Sequence, residues 1–395
     1  MNCTIKTKAK DLAEALKIAK ALQTGKQSLP IYEATFIHIV GASYVMDDEN
    51  ILANASYICA YNASASISID VDMQGSLRDY DCAVNTARLY SVVSALSGSI
   101  TMEADTEALS LTITHKHGTC VLPLIATTNA SGESIEPKSN DMEGAMHVSI
   151  PCWADLRTIY NRACSVKCTD HTRWFPHVLH VEITNGSMTG VVTDGRVEYS
   201  ATISDARLTT ADEEGIVFNL PKQWQSIIGK IDAEEVEIEY IESTDTMRLK
   251  TEDFTLTTSA SNGVQKYPAW RNVLCKYDDY CGVSTEALRS CAGRVSTFGG
   301  GAVLRMEVKE GKMALSCADG DLFSKAEESL RVIESSSKEI AIGMMPSLLT
   351  WMLSLAGEEV TLRYSDATHP IYTEVADGDI AQYIMMMPCK LETTD

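Results

Sequence analysis

Two stretches of the chain repeat each other. LHVEITNGSMTGVVTDGR (179–196) and LRMEVKEGKMALSCADGD (304–321) share Leu179/Leu304, Glu182/Glu307, Gly186/Gly311, Met188/Met313, Asp194/Asp319 and Gly195/Gly320 at one constant offset. Upstream of each, WADLRTIYNR (153–162) and TEALRSCAGR (285–294) share the pattern L-R-x-x-x-x-R. A weaker third copy opens the chain. AKDLAEALKIAKAL (9–22) is its helix candidate and FIHIVGASYVMDDEN (36–50) its strand, turn and strand, with Asp47-Asp48 in place of Asp-Gly. A solenoid repeats every ~20–50 residues. The wider spacing here predicts duplicated domains instead.

Each copy continues in one order: helix, strands, second helix, strands. Second helices are expected at NTARLYSVVSAL (85–96), PKQWQSIIGKI (221–231) and MPSLLTWMLSL (345–355), with Pro221 and Pro346 at first-turn positions where proline is tolerated. Alternating strands follow, such as SITMEAD, LSLTITH, EEVEIEYIE, FTLTTSA, EEVTLRYSD and PIYTEVA. Polar, turn-rich stretches at 131–145 and 275–281 mark boundaries. The expected fold class is α+β, with domains at 1–135, 136–276 and 277–395, each with two helices packed on antiparallel sheet.

Composition narrows the class. Hydrophobic residues make up 45% of the 395, enough for full cores. No apolar run reaches the ~20 residues of a membrane helix, and MNCTIKTKAKDLAEAL lacks a signal-peptide core. The 12 cysteines are scattered without a CxxC pair, which fits reduced thiols and a cytoplasmic protein. A net charge of −21 repels nucleic acid on average, but charge is unevenly placed. Lys10, Lys17 and Lys20 fall within ~80° of arc on the first helix. Arg88, Arg157, Arg162, Lys222, Lys230, Arg289 and Arg294 also sit on helix candidates. They are either a phosphate-facing set or ordinary solvated helix faces.

Other motifs carry less. Cys164, Cys168 and His171 have a tight spacing but no evident fourth ligand, so a helix end and loop is the better reading than zinc. Gly299-Gly300-Gly301 follows a helix, the reverse of a phosphate loop, and reads as a turn. His115 and His117, and the acidic pairs Asp47-Asp48 and Asp278-Asp279, read as solvated loops. No metal site, cofactor or catalytic residue is assigned.

With its three-fold repetition, TDGR (193–196), YPAWRNVL (267–274), LPIYEATFIHI (29–39) and MMMPCKL (385–391) in this order, the whole chain resembles the bacterial DNA polymerase III β sliding clamps. That resemblance implies a non-catalytic processivity factor for DNA replication. Two chains would join head to tail into a ring around double-stranded DNA, helices inward, without sequence preference. Implied partners are the replicative polymerase, the clamp loader and other proteins carrying short hydrophobic peptides. Their implied pocket comprises Thr193, Gly195, Arg196 and Val197, then Pro268, Asn272 and Val273, then Met385, Met387, Pro388, Cys389, Lys390 and Leu391, with Ile159 in the floor. The alternative for the methionine run is a plain edge strand. The implied dimer contact sets Thr297 and Phe298 against Leu109 and Leu111 of the other chain, although Phe298 also reads as a core aromatic. The chain departs from the family pattern: Arg196 follows Gly195 without the usual histidine, Asn272 stands where arginine is common, and GMMPS (343–347) lacks the usual asparagine and tyrosine. The competing functional class is an acidic metal-dependent hydrolase or a duplicated β-rich scaffold unrelated to DNA.

Overall fold

Helices form where apolar residues recur at three- and four-residue spacing. The computed structural model describes residues 2–23, 29–46, 49–74, 80–129, 131–137, 141–166, 172–210, 215–244, 246–259, 266–299, 303–319, 324–336 and 338–391. Among them are five α-helices: α1 (Ala9–Leu22), α2 (Thr86–Val93), α3 (Trp153–Ser165), α4 (Thr285–Ser296) and α5 (Pro346–Leu355). On α1, Leu12, Leu16 and Ala19 are fully buried, while Lys10, Lys17 and Lys20 are exposed, as the spacing predicts. Truncating one such leucine to alanine costs about 2–5 kcal/mol. Side chains satisfy helix starts: Asn85 accepts from the Arg88 N–H at 3.1 Å, and Ser284 from the Ala287 N–H at 3.4 Å. Pro346 occupies the first turn of α5. Among the described residues no helix is long and apolar enough to cross a membrane.

The segment 221–231 departs from expectation. It forms two 3-10 turns, Lys222–Trp224 and Ile228–Lys230, rather than an α-helix. Trp224, Ile227, Ile228 and Ile231 are all buried, so the helical spacing of apolar residues was real. Gly229 and the β-branched isoleucines weaken helix propensity, and tight turns bury the same side chains.

Each long repeat forms an antiparallel hairpin. The strand Val178–Thr184 pairs with Ser187–Thr193, and Leu304–Lys309 pairs with Lys312–Asp319. The third copy is Ala34–Met46 with Glu49–Tyr61; Asp47 and Asp48 lie outside the described residues. Repeated positions do repeated jobs: Leu179, Leu304, Met188 and Met313 are all fully buried. The second hairpin turns at Glu310 and Gly311, both with positive φ, 50° and 69°. This is the backbone that matches strand twist in a two-residue turn.

The chain packs as two units, residues 1–153 with 226–265, and residues 154–225 with 266–395. Each owns its sheets. A 13-stranded sheet lies in the first unit, where Phe254–Ser259 pairs with Ala65–Asp70. A 9-stranded and a 4-stranded sheet lie in the second, where Val197–Ser204 pairs with Ile380–Met386. The central third of the chain is thus shared, because its strands pair with the first third in one unit and the last third in the other.

Candidate functional site

The TDGR stretch is a turn built by its own side chains. Asp194 Oδ1 accepts from the backbone N–H groups of Arg196 at 2.8 Å and Val197 at 2.9 Å. Thr193 Oγ1 donates to the Val197 carbonyl at 2.7 Å and accepts from the Gly195 N–H at 3.1 Å. Gly195 has φ +85°, a conformation glycine adopts without strain. Arg196 is left exposed at the tip, and Val197 is fully buried.

The C-terminal strand docks against this turn. Val197 pairs with Met386, and the Met387 N–H continues the ladder to the Arg196 carbonyl at 2.7 Å. Met385 and Met386 are core residues, 3% and 0% exposed, whereas Met387 is 37% exposed. Two of the three methionines are therefore buried on a strand paired on both sides, with Val197–Ser204 and with Ile371–Asp377, so it is not the edge strand of the alternative reading, and the third methionine reaches the surface. Beyond it, the Cys389 N–H donates to the Gly343 carbonyl at 2.8 Å. A Cβ at Gly343 would collide with the Cys389 carbonyl oxygen and lie 2.8 Å from Val303. That close approach leads directly into Met345 and the start of α5.

A cavity of about 350 Å³ opens where α3, the turn and α5 meet, entirely within the second unit. Val166, Val197, Met345, Leu348 and Trp351 supply apolar wall, and Asp194 and Arg196 supply charge beside it. Trp351 Nε1 donates to Ser165 Oγ at 3.0 Å, joining α5 to the end of α3. Of the pocket residues expected from sequence, Arg196 and Val197 are on this wall. Thr193 shapes the turn behind it, and Ile159 is fully buried, with its Cγ2 2.8 Å from where a Cβ on Gly190 would lie. Gly195 is exposed; Pro388, Cys389 and Leu391 are half-buried; and Lys390 is exposed. Sequence reasoning missed Val166, Leu348 and Trp351. The periodicity of MPSLLTWMLSL identifies a helix, and its stronger face (Leu349, Met352, Leu353) is the buried one.

The segment 267–274 occupies a different surface. Tyr267 stacks on His180 with ring centroids 4.1 Å apart, and Trp270 Nε1 donates to Glu182 at 2.9 Å. Burial raises the Glu182 carboxyl pKa, but hydrogen bonds from His180, Arg271 and Trp270 outweigh it and hold the group well below the usual range. Pro268 is half-buried, and Asn272 and Val273 are exposed. Trp270, Leu274 and Cys275 instead border a second cavity of about 750 Å³ with Ser200, Thr202 and Tyr383. Next to Ser200, Glu198 is fully buried, and neither carboxylate oxygen has a hydrogen-bond partner among the described residues. Burial pushes its pKa up to about 7.

The helix-borne cations divide. Lys10, Lys17, Lys20 and Arg88 are exposed on α1 and α2, with Lys20 Nζ 5.0 Å from the Tyr90 ring centroid. Lys230 is exposed and Arg157 half-buried. Others are engaged: Arg162 pairs with Asp377 and donates to Gln382 at 2.8 Å, and Lys222 donates to the Val166 carbonyl at 2.8 Å. Arg289 donates to the Leu353 carbonyl, and Arg294 forms a two-pronged pair with Glu328. Of the four expected dimer residues, Leu109 and Phe298 are 47% and 49% exposed, Thr297 is exposed, and Leu111 is fully buried. Phe298 is therefore not a core aromatic, and Leu111 packs inside its own chain.

The competing motifs are only partly within the described residues. Cys164 ends α3 with Sγ 3.9 Å from the Lys222 carbonyl, and burial raises its thiol pKa to about 11. Cys168, His171, Gly300 and Gly301 lie outside the described residues. His117 and Asp278 are exposed, His115 is half-buried at a hairpin turn, and Asp279 pairs with Lys338 at 3.0 Å.

No model of a known protein family matches the sequence, and no curated protein does. Solved structures do. The sliding clamp (DNA polymerase III subunit β) of Pseudomonas aeruginosa, crystallised with griselimycin, is 18% identical with a TM-score of 0.81, over 99% of this chain and 100% of that one. The chain has the sliding-clamp fold. The DNA polymerase III β chain of Streptococcus pneumoniae aligns with a TM-score of 0.83 at 15% identity, over 99% of this chain and 100% of that one. The Helicobacter pylori β clamp, bound to a DNA ligase peptide, gives 0.78 at 16% identity, over 98% and 100%. The clamp fold spans essentially the whole chain and accounts for the helix-and-hairpin order seen three times along it.

Proposed function

We propose that the protein is a DNA sliding clamp. Two copies close head to tail into a ring around duplex DNA and tether a replicative polymerase, without catalysis of their own, in the cytoplasm. In this reading the chain comprises the clamp domains 1–135, 136–276 and 277–395. Partners dock a short hydrophobic peptide in the cavity between the Thr193–Arg196 turn, the end of α3 and the start of α5. That cavity is the observation that carries the reading, because it lies in a clamp fold whose relatives include one bound to a DNA ligase peptide. Its volume of about 350 Å³ falls at the small end of ligand pockets and suits two or three apolar side chains. The adaptable Met345 beside it suits several partners in turn. The fold likeness lends no support to a metal-dependent hydrolase or an unrelated scaffold.

The ring's inner surface in this proposal includes Lys10, Lys17, Lys20 and Arg88. Such contacts act on phosphates irrespective of sequence. Retention by topology needs only weak ones.

The test is a titration of a fluorescent peptide bearing a leucine and a phenylalanine, read by anisotropy. Saturable binding that weakens at least about tenfold in Trp351→Ala is expected, the size of an aromatic anchor's loss. Equal affinity in wild type and variant would contradict the pocket.

A further inference from the structure

We infer that His38, Cys59 and Glu136 form a binding site for one divalent cation of the zinc class, in the unit made of residues 1–153 and 226–265. Strand register creates the first half. Phe36 pairs with Cys59 and His38 with Tyr57. Alternation along the pleat therefore sets His38 and Cys59 on one face as diagonal neighbours. The intervening residues Ile37, Ile39 and Ile58, all fully buried, take the other face.

The second half arrives from a distant part of the chain. Thr128 and Ser134 bridge each other, and the Glu136 N–H donates to Ser134 Oγ at 3.3 Å. The Glu136 carboxylate then lies over the sheet, with Oε1 3.1 Å from His38 Nε2. One ring nitrogen, the sulfur and a carboxylate oxygen all lie within 4.8 Å of one another. A tetrahedral zinc with bonds of about 2.0–2.3 Å spaces its ligands by roughly 3.3–3.8 Å. The His38–Glu136 pair at 3.1 Å would open slightly, and any wider pair within the 4.8 Å bound would close, to reach that spacing.

The donor set chooses the ion. Imidazole, thiolate and carboxylate together suit zinc or a similar borderline metal; magnesium and calcium take oxygen alone. His38 and Cys59 are only 7% and 8% exposed; Cys59 sits in a cluster with Ala34, Phe36, Tyr61 and Ala83, and the His38 ring lies between those of Phe36 and Tyr57. His38 and Glu136 hydrogen-bond each other at 3.1 Å, and a cation would take the place of that bond. The outer shell is also present. The Tyr61 hydroxyl donates to Glu136 at 2.6 Å, and the Tyr57 ring stacks on His38 at 4.9 Å, fixing both ligands in orientation. A water would supply a fourth ligand, and half-buried Glu136 gives the entry path. Such a site bolts the segment before residue 137 to the sheet, a role independent of peptide or DNA binding.

The test uses the full chain, stripped with a chelator and titrated with Co²⁺ under reducing conditions. One equivalent should bind with a thiolate-to-cobalt charge-transfer band, and Zn²⁺ should displace it. Cys59→Ser should abolish the band and Glu136→Gln should weaken binding at least about tenfold, while Cys164→Ser should change neither. Circular dichroism checks that each variant is folded. Glu136→Gln, on the more exposed ligand, provides the readout if Cys59→Ser does not fold. Absence of saturable Co²⁺ binding, a band that survives Cys59→Ser, or unchanged affinity in folded Glu136→Gln would overturn the site.

Discussion

The Met387 backbone N–H donates to the Arg196 carbonyl at 2.7 Å, so the last strand of the chain and the turn begun at Thr193 form one structure. Two residues on, the Cys389–Gly343 bond holds the chain end against the lead-in to α5. Gly343→Ala should break this link, because the new Cβ would meet the Cys389 carbonyl and crowd Val303 and Leu391. A loss of about 1–3 kcal/mol is expected, with weaker peptide binding. Thermal melting and the peptide titration check both; an unchanged melting temperature would show that the chain end is not held there.

Much of this was legible in the sequence because it depends on local periodicity. The α1 lysines and leucines separate by face, and paired Leu179/Leu304 and Met188/Met313 are buried alike. Pairing across the chain was not legible. Nothing local tells that Arg162 spends its charge on Asp377, or that Phe254–Ser259 joins the strand Ala65–Asp70. Of the expected pocket residues only Arg196 and Val197 line the cavity, since Asp194-Gly195 announces a turn while Val166 and Trp351 reach it through tertiary placement. The likeness of 221–231 to a helix failed because spacing reports burial, which two 3-10 turns also achieve.

Glu198 makes stability depend on pH in the direction opposite to a salt-bridged acid. Its pKa rises from 4.5 to about 7 on burial. Between those values the folded chain holds a proton that the unfolded chain has lost, so this group's contribution falls as pH rises through that window. Glu198→Gln should remove the fall and stabilise the protein above pH ~7 by on the order of 2–3 kcal/mol. Urea midpoints from about pH 5 to 8 measure it. Parallel profiles for wild type and variant would mean that Glu198 is ionised in the fold.

Lys10, Lys17 and Lys20 are exposed on one face of α1, with no role in its core. Their joint reversal to glutamate should leave the melting temperature within a few degrees and reduce loader-dependent retention on circular DNA. The salt dependence of any residual DNA contact should flatten, because fewer phosphates are neutralised. Retention equal to wild type would place these lysines away from DNA.

Exposed Leu109 and Phe298 are each costly to leave in water. In the proposed ring, wild type should be a dimer by sedimentation equilibrium, and Leu109→Asp combined with Phe298→Asp should give a monomer. A dimer unchanged by both substitutions would move the contact elsewhere.

The central claim is the ring, and negative-stain class averages of the purified wild-type protein test it most directly. The account predicts a flat closed ring of two chains, with six lobes around a hole wide enough for duplex DNA. A particle without a hole, at concentrations where the mass is dimeric, would contradict it.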